Sequence, residues 1–252
     1  MLCVYLKNSF FKYTHITHIK YAYYVCNARI SHFKIKRMSM IIVVSHTKGG
    51  VGKSTISFNL ATVLNSKYNI EVVDLDFQKT LTYLNEYRKE PLKVKSFESD
   101  EKFKKYIKKD SDQRISIVDV GGFDSSMNRI AMIMADLIIT PVSDSSTELL
   151  GLMKFEKILK EMSEVIEEDI SVKILLNNIN PQKKNLDDLK KFLNKTPLFS
   201  LLKSTTPTRA AYDKALGKGL GILEYKPESK AGLEMQNLVN EIEVIIKDKI
   251  NG

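Results

Sequence analysis

His46-Thr47-Lys48-Gly49-Gly50-Val51-Gly52-Lys53-Ser54-Thr55 follows the apolar run 40–44 and opens a stretch of helical character. Strand, glycine-rich turn and helix in that order predict a phosphate-binding loop. Glycines let backbone N–H groups approach phosphate oxygens, and a helix N-terminus adds positive partial charge. Gly49, Gly50, Val51 and Gly52 would supply the cradle, with Lys53 against the β- and γ-phosphates. Ser54 would ligate Mg2+, and the Thr55 hydroxyl would reach the α-phosphate. An ordinary glycine-rich turn is the bland reading; the flanking strand and helix argue against it. The usual spacing G-x-x-x-x-G-K-S/T fails at its first position, where Thr47 replaces glycine, and an additional lysine, Lys48, precedes the glycine pair.

Outward from this loop, short β-branched runs alternate with longer helical patterns. Strands are expected at 41–45, 70–75, 115–120, 137–141 and 172–177, with helices starting near Lys53, Thr80, Ser125, Ser146, Asn185 and Thr208. Parallel strands need such crossovers, so the predicted fold class is α/β: a three-layer sandwich around a mainly parallel twisted sheet of the P-loop type. Val43-Val44, Val72-Val73 and Ile117-Val118 lack alternation and read as central strands covered on both faces. The loop, Asp74, Asp76 and Asp119 then fall at strand C-terminal ends, where such sheets bind ligands. Asp119 closes an apolar strand, an arrangement that supports Mg2+ at a nucleotide site, although an acid there is also a common turn residue or helix cap. Alternation would put Asp74 and Asp76 on one side of a strand, and two carboxylates converging beside phosphate would need Mg2+ or lysine nearby.

Three segments together resemble the ParA/MinD family of deviant Walker ATPases: Lys48-Gly49-Gly50-Val51-Gly52-Lys53-Ser54-Thr55, then Val72-Val73-Asp74-Leu75-Asp76-Phe77-Gln78, then Val118-Asp119-Val120-Gly121-Gly122. The resemblance runs from about Met40 to the C-terminus. It implies an ATP-driven homodimer switch that uses ATP and Mg2+. Lys48 would reach into the partner subunit's nucleotide, Asp76 would position the attacking water, and Asp74 would be the structural or metal-side acid. The family's second motif usually reads D-x-D-P-Q; Phe77 replaces the proline here, which touches rate and partner response more than hydrolysis. Asn177, in Leu175-Leu176-Asn177-Asn178, resembles the family's adenine-reading asparagine, though asparagine is also a common turn residue.

The segment Pro207-Thr208-Arg209-Ala210-Ala211-Tyr212 with Gly219-Leu220-Gly221 resembles the short plasmid-type ParA proteins, in which an arginine at this place helps bind DNA non-specifically. Arg209 is the first choice for phosphate contact, with Lys203, Lys214 and Lys218 as neighbours; the bland reading of each is a solvated helix face. Two further basic clusters, Lys102/Lys104/Lys105/Lys108/Lys109 and Lys183/Lys184/Lys190/Lys191, are not diagnostic. The implied partners are a second copy of the chain, non-specific DNA and a ParB-like or centromere-binding adaptor that stimulates hydrolysis. The competing readings are a MinD-like membrane-associated positioning ATPase and a P-loop metabolic enzyme acting on a small molecule.

Composition bounds these readings. A chain of 252 residues, 43% hydrophobic, can bury one large core. Of its net charge of +9, seven units come from residues 1–37, which hold seven basic and no acidic residues, leaving +2 on residues 38–252. The overall basicity therefore describes the leader, and a DNA-binding surface on the body must be a local patch. The leader shows no sustained period, no span of membrane length and no secretory pattern. It is read as a disordered or non-native upstream segment with the natural start at Met38 or Met40, a basic arm being the other reading. His15, His18, Cys3 and Cys26 match no zinc spacing, and the body lacks cysteine, so neither a disulfide framework nor cluster chemistry is expected. A cytoplasmic, nucleoid-associated protein follows. The tail 238–250 is amphipathic with mixed charge, which argues for packing on the sheet and against stable membrane association.

Overall fold

The computed structural model describes residues 39–109, 114–122, 124–143, 145–180 and 187–251. The leader, its histidines and cysteines, and Lys183 and Lys184 lie outside them. Within the described residues, β1 (Met40–Val44) leads into α1 (Lys53–Leu64), then β2 (Asn69–Asp74), α2 (Thr80–Glu86), β3 (Val94–Lys95) and α3 (Asp100–Lys108). Next come β4 (Arg114–Asp119), α4 (Ser126–Ile133), β5 (Leu137–Val142), α5 (Ser146–Ile166) and β6 (Val172–Ile179). The chain continues through α6 (Asp187–Lys195), β7 (Phe199–Pro207), α7 (Ala210–Leu216), α8 (Ile222–Tyr225) and α9 (Lys230–Asn251).

The sheet order is β3-β2-β4-β1-β5-β6-β7, and every pairing is parallel. Because β4 inserts between β1 and β2, the crevice at the β1 C-terminus is flanked by β4 on one side and β5 on the other. That reversal in strand order is where a doubly wound sheet opens a ligand site.

Alternation within β1 divides the core. Met40, Ile42 and Val44 face one apolar layer built with α1, α2, α7, α8 and α9, while Ile41 and Val43 face the other, built with α3, α4, α5 and α6. Covering both faces explains why the central strands read as unbroken apolar runs. Full burial of residues such as Ile42 and Val43 stabilises the sheet by about 1.5–3 kcal/mol each.

Two strands escape the sequence reading. β3 is two residues long, and β7 is an edge strand whose Ser200, Leu201 and Lys203 are exposed, so it lacks the apolar signature of its neighbours. The first basic cluster lies on α3, a helix also not expected, with Lys109 at its C-cap. Its start was written in Ser99, whose hydroxyl accepts from the Lys102 N–H at 3.4 Å, and in Asp100 and Glu101 of the first turn.

The tail helix packs as expected. Val239, Ile242 and Ile246 are fully buried against the sheet, and Glu241 accepts from the backbone N–H groups of Lys203 and Ser204 at 2.9 and 2.8 Å, tying α9 to β7. No helix among the described residues is long and apolar enough to cross a membrane.

Candidate nucleotide-binding site

The loop between β1 and α1 carries two left-handed glycines, Gly50 at φ 75° and Gly52 at φ 92°. A Cβ on Gly49 or Gly50 would meet nothing within 4 Å, so that side of the loop is open, whereas a Cβ on Gly52 would lie 2.3 Å from Asn177 Nδ2. Open glycine backbone facing a cleft is what a phosphate needs. The cleft, roughly 620 Å³, is lined by this loop, by Asp76, Phe77, Gln78 and Thr80, and by Gly122.

Lys53 opens α1 and is only 5% exposed; its ammonium donates to the Lys48 carbonyl at 3.0 Å. Burial lowers its pKa, against the opposing pull of Asp119, Asp76 and Glu148. Among the described residues no carboxylate sits within ion-pair distance of it, so a buried cation is held ready for an anion.

Asp119 ends β4 fully buried. Its Oδ2 accepts from the Ser54 hydroxyl at 2.7 Å and its Oδ1 from the Ser57 hydroxyl at 3.0 Å. Burial pushes its carboxyl up to about 7, with nearby Asp74 adding to the rise and the two serines and Lys53 opposing it. The parallel register sets Asp74 of β2 directly beside Asp119. Asp74 Oδ2 accepts from the Thr82 N–H and hydroxyl at 3.0 and 2.8 Å, while among the described residues its buried Oδ1 has no partner. Two buried carboxylates, one with a free oxygen, next to a serine at the phosphate loop fit a divalent cation supported from behind by Asp119.

The two acids of the second motif do not share a strand face. β2 ends at Asp74, so alternation stops there: Asp74 turns inward to hold α2, and Asp76 lies in the following loop on the cleft wall. Asp76 Oδ1 accepts from the Gln78 N–H at 2.9 Å, an Asx turn that fixes the carboxylate. Phe77, 81% exposed, stands on the same wall.

Asn177 is buried beneath the loop rather than open to solvent. Its Nδ2 donates to the Val51 carbonyl at 2.7 Å and its Oδ1 accepts from the Thr206 hydroxyl at 2.7 Å. This geometry makes it a brace of the loop. Asn178, at φ 53°, is exposed and accepts from the Thr208 hydroxyl.

The four cations expected to meet DNA divide between elements. Lys203 lies on β7, Arg209 precedes α7, Lys214 lies within α7, and Lys218 follows it with its ammonium 5.0 Å from the Tyr225 ring centre. Arg209 is closed as a fork on Glu234 of α9, at 2.6 and 3.2 Å, so any phosphate contact by it requires that pair to open. Lys203, Lys214 and Lys218 are exposed.

Sequence reasoning missed Ser57, Thr82 and Glu148. Ser57 carried a signal, lying one helical turn after Ser54 on the face that meets Asp119. Thr82 and Glu148 carried none.

Residues 42–219 match the family described as the CobQ/CobB/MinD/ParA nucleotide binding domain. The chain belongs to this family. It is 27% identical over 145 residues to Protein ParA of Rhizobium radiobacter, a match covering 56% of this chain and 65% of that protein's length. The fold is similar to that of apo McdA from Cyanothece, at TM-score 0.63 and 14% identity over 81% of this chain and 99% of that one. MinD from Pyrococcus horikoshii OT3, complexed with Mg-ADP, gives TM-score 0.62 and 18% identity over 84% and 98% of the two chains. A protein of Borrelia burgdorferi B31 described as a candidate plasmid partition protein, bound to AMPPNP, gives 0.60 and 15% over 83% and 99%.

The buried Asp119 of this ParA/MinD-family site is expected to make metal binding pH-dependent. A cation supported by Asp119 competes with the proton that its raised pKa of about 7 retains. The Mg2+ concentration needed for nucleotide binding is therefore expected to rise as pH falls from about 8 to about 6. A Mg2+ titration of nucleotide affinity across that range checks it; a midpoint independent of pH would show that Asp119 is already ionised. Without metal the sign reverses. The protonated Asp119 favours the fold below the ordinary carboxylate pKa, and that stability is lost as pH rises through about 7.

Proposed function

We propose that this protein is an ATPase that forms a homodimer on ATP, binds DNA without sequence preference in that state, and leaves it after hydrolysis stimulated by an adaptor protein, in the service of DNA partition. The observation that carries the reading is Lys48. It is a second loop lysine that is not among the residues lining the cleft; its ammonium lies on the first turn of α5, a helix that also carries Leu150 and Met153, 61% and 51% exposed. A partly exposed cation on a helix that also presents exposed apolar side chains suits insertion into a second copy.

In this reading Lys53 and the loop amides bind the phosphates, and Ser54 with Asp119 behind it holds Mg2+, which would screen phosphate charge. Asp76, fixed by the Gln78 N–H, accepts a hydrogen bond from the attacking water. What favours partition over a MinD-like membrane role is the tail: the apolar face of α9 built from Leu238, Val239, Ile242 and Ile246 is buried in the core, and among the described residues Leu233 and Val244 are its exposed large apolar side chains. The exposed Lys203, Lys214 and Lys218 are the phosphate contacts of choice.

The test is binding of the full chain to unrelated duplexes with ATP/Mg2+, with ADP/Mg2+ and without nucleotide, over a salt series. ATP-dependent, salt-sensitive binding is expected, with log affinity falling linearly in log salt. Binding in no state would overturn the partition role, and liposome binding would then separate membrane positioning from small-molecule chemistry. Lys48→Ala should weaken ATP-dependent dimerisation far more than nucleotide binding. Sedimentation of the ATP-loaded variant reads this out, and an unchanged dimer would remove Lys48 from the interface.

A further inference from the structure

Lys48 is held inside its own subunit. Its ammonium donates to the Glu148 carboxylate and, at 3.0 Å, to the Thr147 hydroxyl, both in the first turn of α5. The two partners differ in setting: the Lys48 side chain is 39% exposed, whereas Glu148 is 2% exposed. The other Glu148 oxygen, Oε2, faces His46 Nε2 at 3.9 Å, and among the described residues neither has a hydrogen-bond partner. His46 Nδ1 accepts the Lys48 backbone N–H at 2.9 Å, so a neutral imidazole must carry its proton on Nε2, aimed at Glu148. Gly151 keeps α5 against this ring, since a Cβ there would lie 2.9 Å from His46 Cε1. His46 thus fixes the lysine backbone and Glu148 its tip; Glu148 lies on α5 and the His46 ring packs against that helix.

We infer that Glu148 is a positioning residue that retains Lys48 in its own subunit and thereby sets how readily the lysine is given up to a second nucleotide-bound copy. The inference rests on the proposed role of Lys48 in an ATP dimer. Lys48 cannot bond Glu148 and reach across at once, so the two contacts compete. Release also leaves a buried carboxylate without its cation, a cost that the facing His46 Nε2–H offsets only by closing the 3.9 Å gap. Relieving a charge-assisted contact of this kind should strengthen the competing state about tenfold.

The test compares the full chain and Glu148→Gln by sedimentation at increasing protein concentration with ATP/Mg2+, each also in a Lys48→Ala background. The dimer dissociation constant is expected to fall about tenfold in Glu148→Gln with Lys48 present, and the substitution should have no effect once Lys48 is gone. A merely structural role would give the same change in both backgrounds and would overturn the inference, as would an unchanged or weaker dimer with Lys48 present. Thr147→Val, at an exposed position, should move dimerisation the same way by a smaller factor. If neither the unmodified chain nor Glu148→Gln dimerises on ATP, the dimer reading itself fails and this inference falls with it.

Discussion

Asp76→Ala should lower the ATP turnover rate by about 10²–10⁴-fold while leaving ATP-dependent dimerisation in place, so that the ATP-bound dimer accumulates. The size follows from what is removed. Asp76 is the carboxylate on the cleft wall that the fold leaves uncommitted to a buried neighbour: Asp119 is engaged by Ser54 and Ser57, and Asp74 holds Thr82. Its contact with the Gln78 N–H orients it without consuming both oxygens. Truncation should therefore spare the core and the phosphate loop, and nucleotide affinity should change little. Single-turnover hydrolysis by the variant is the measurement, and normal turnover would mean that another group orients the water. Phe77 beside it is exposed on the same cleft wall.

Gly52→Ala should cost the fold about 2–5 kcal/mol and lower Tm by about 5–15 °C. Two penalties add. The φ of 92° is strained for any L side chain, and the new methyl would sit 2.3 Å from Asn177 Nδ2, the group that braces the loop through the Val51 carbonyl. Pushing Asn177 aside frees the loop, so nucleotide affinity should drop with stability. Adding Asn177→Ala to Gly52→Ala separates the penalties: the collision is relieved and part of the Tm returns, while the backbone strain stays. A melt of the double variant no higher than the single would place the whole cost in φ.

The candidate acid at Asp76 and the glycine-rich loop were legible in the sequence, because the loop, its strand and its helix are contiguous and each announces itself by local chemistry. The strand-end acids were legible for a similar reason: apolar runs end where the chain leaves the core. Asp74 and Asp76 show the limit. Alternation would have paired them, but β2 stops at Asp74, and the separation of a helix-holding acid from a cleft-wall acid depends on Thr82 reaching back from α2. The edge strand β7 was hidden because half-exposed residues carry no apolar run.

The amino-acid sequence by itself determined that this is a parallel α/β protein with a phosphate-binding loop, a second loop lysine and carboxylates at the strand ends. Periodicity and turn chemistry act over a few residues, and those features need nothing longer. Only the tertiary structure decided which partners those groups take. Asn177 braces Val51 from 126 residues away, and Glu148 claims Lys48 from 100 residues away, each brought close by the register of β6 or the approach of α5. Periodicity says which face a side chain occupies, but the choice of hydrogen-bond partner on that face belongs to whichever distant element packs there.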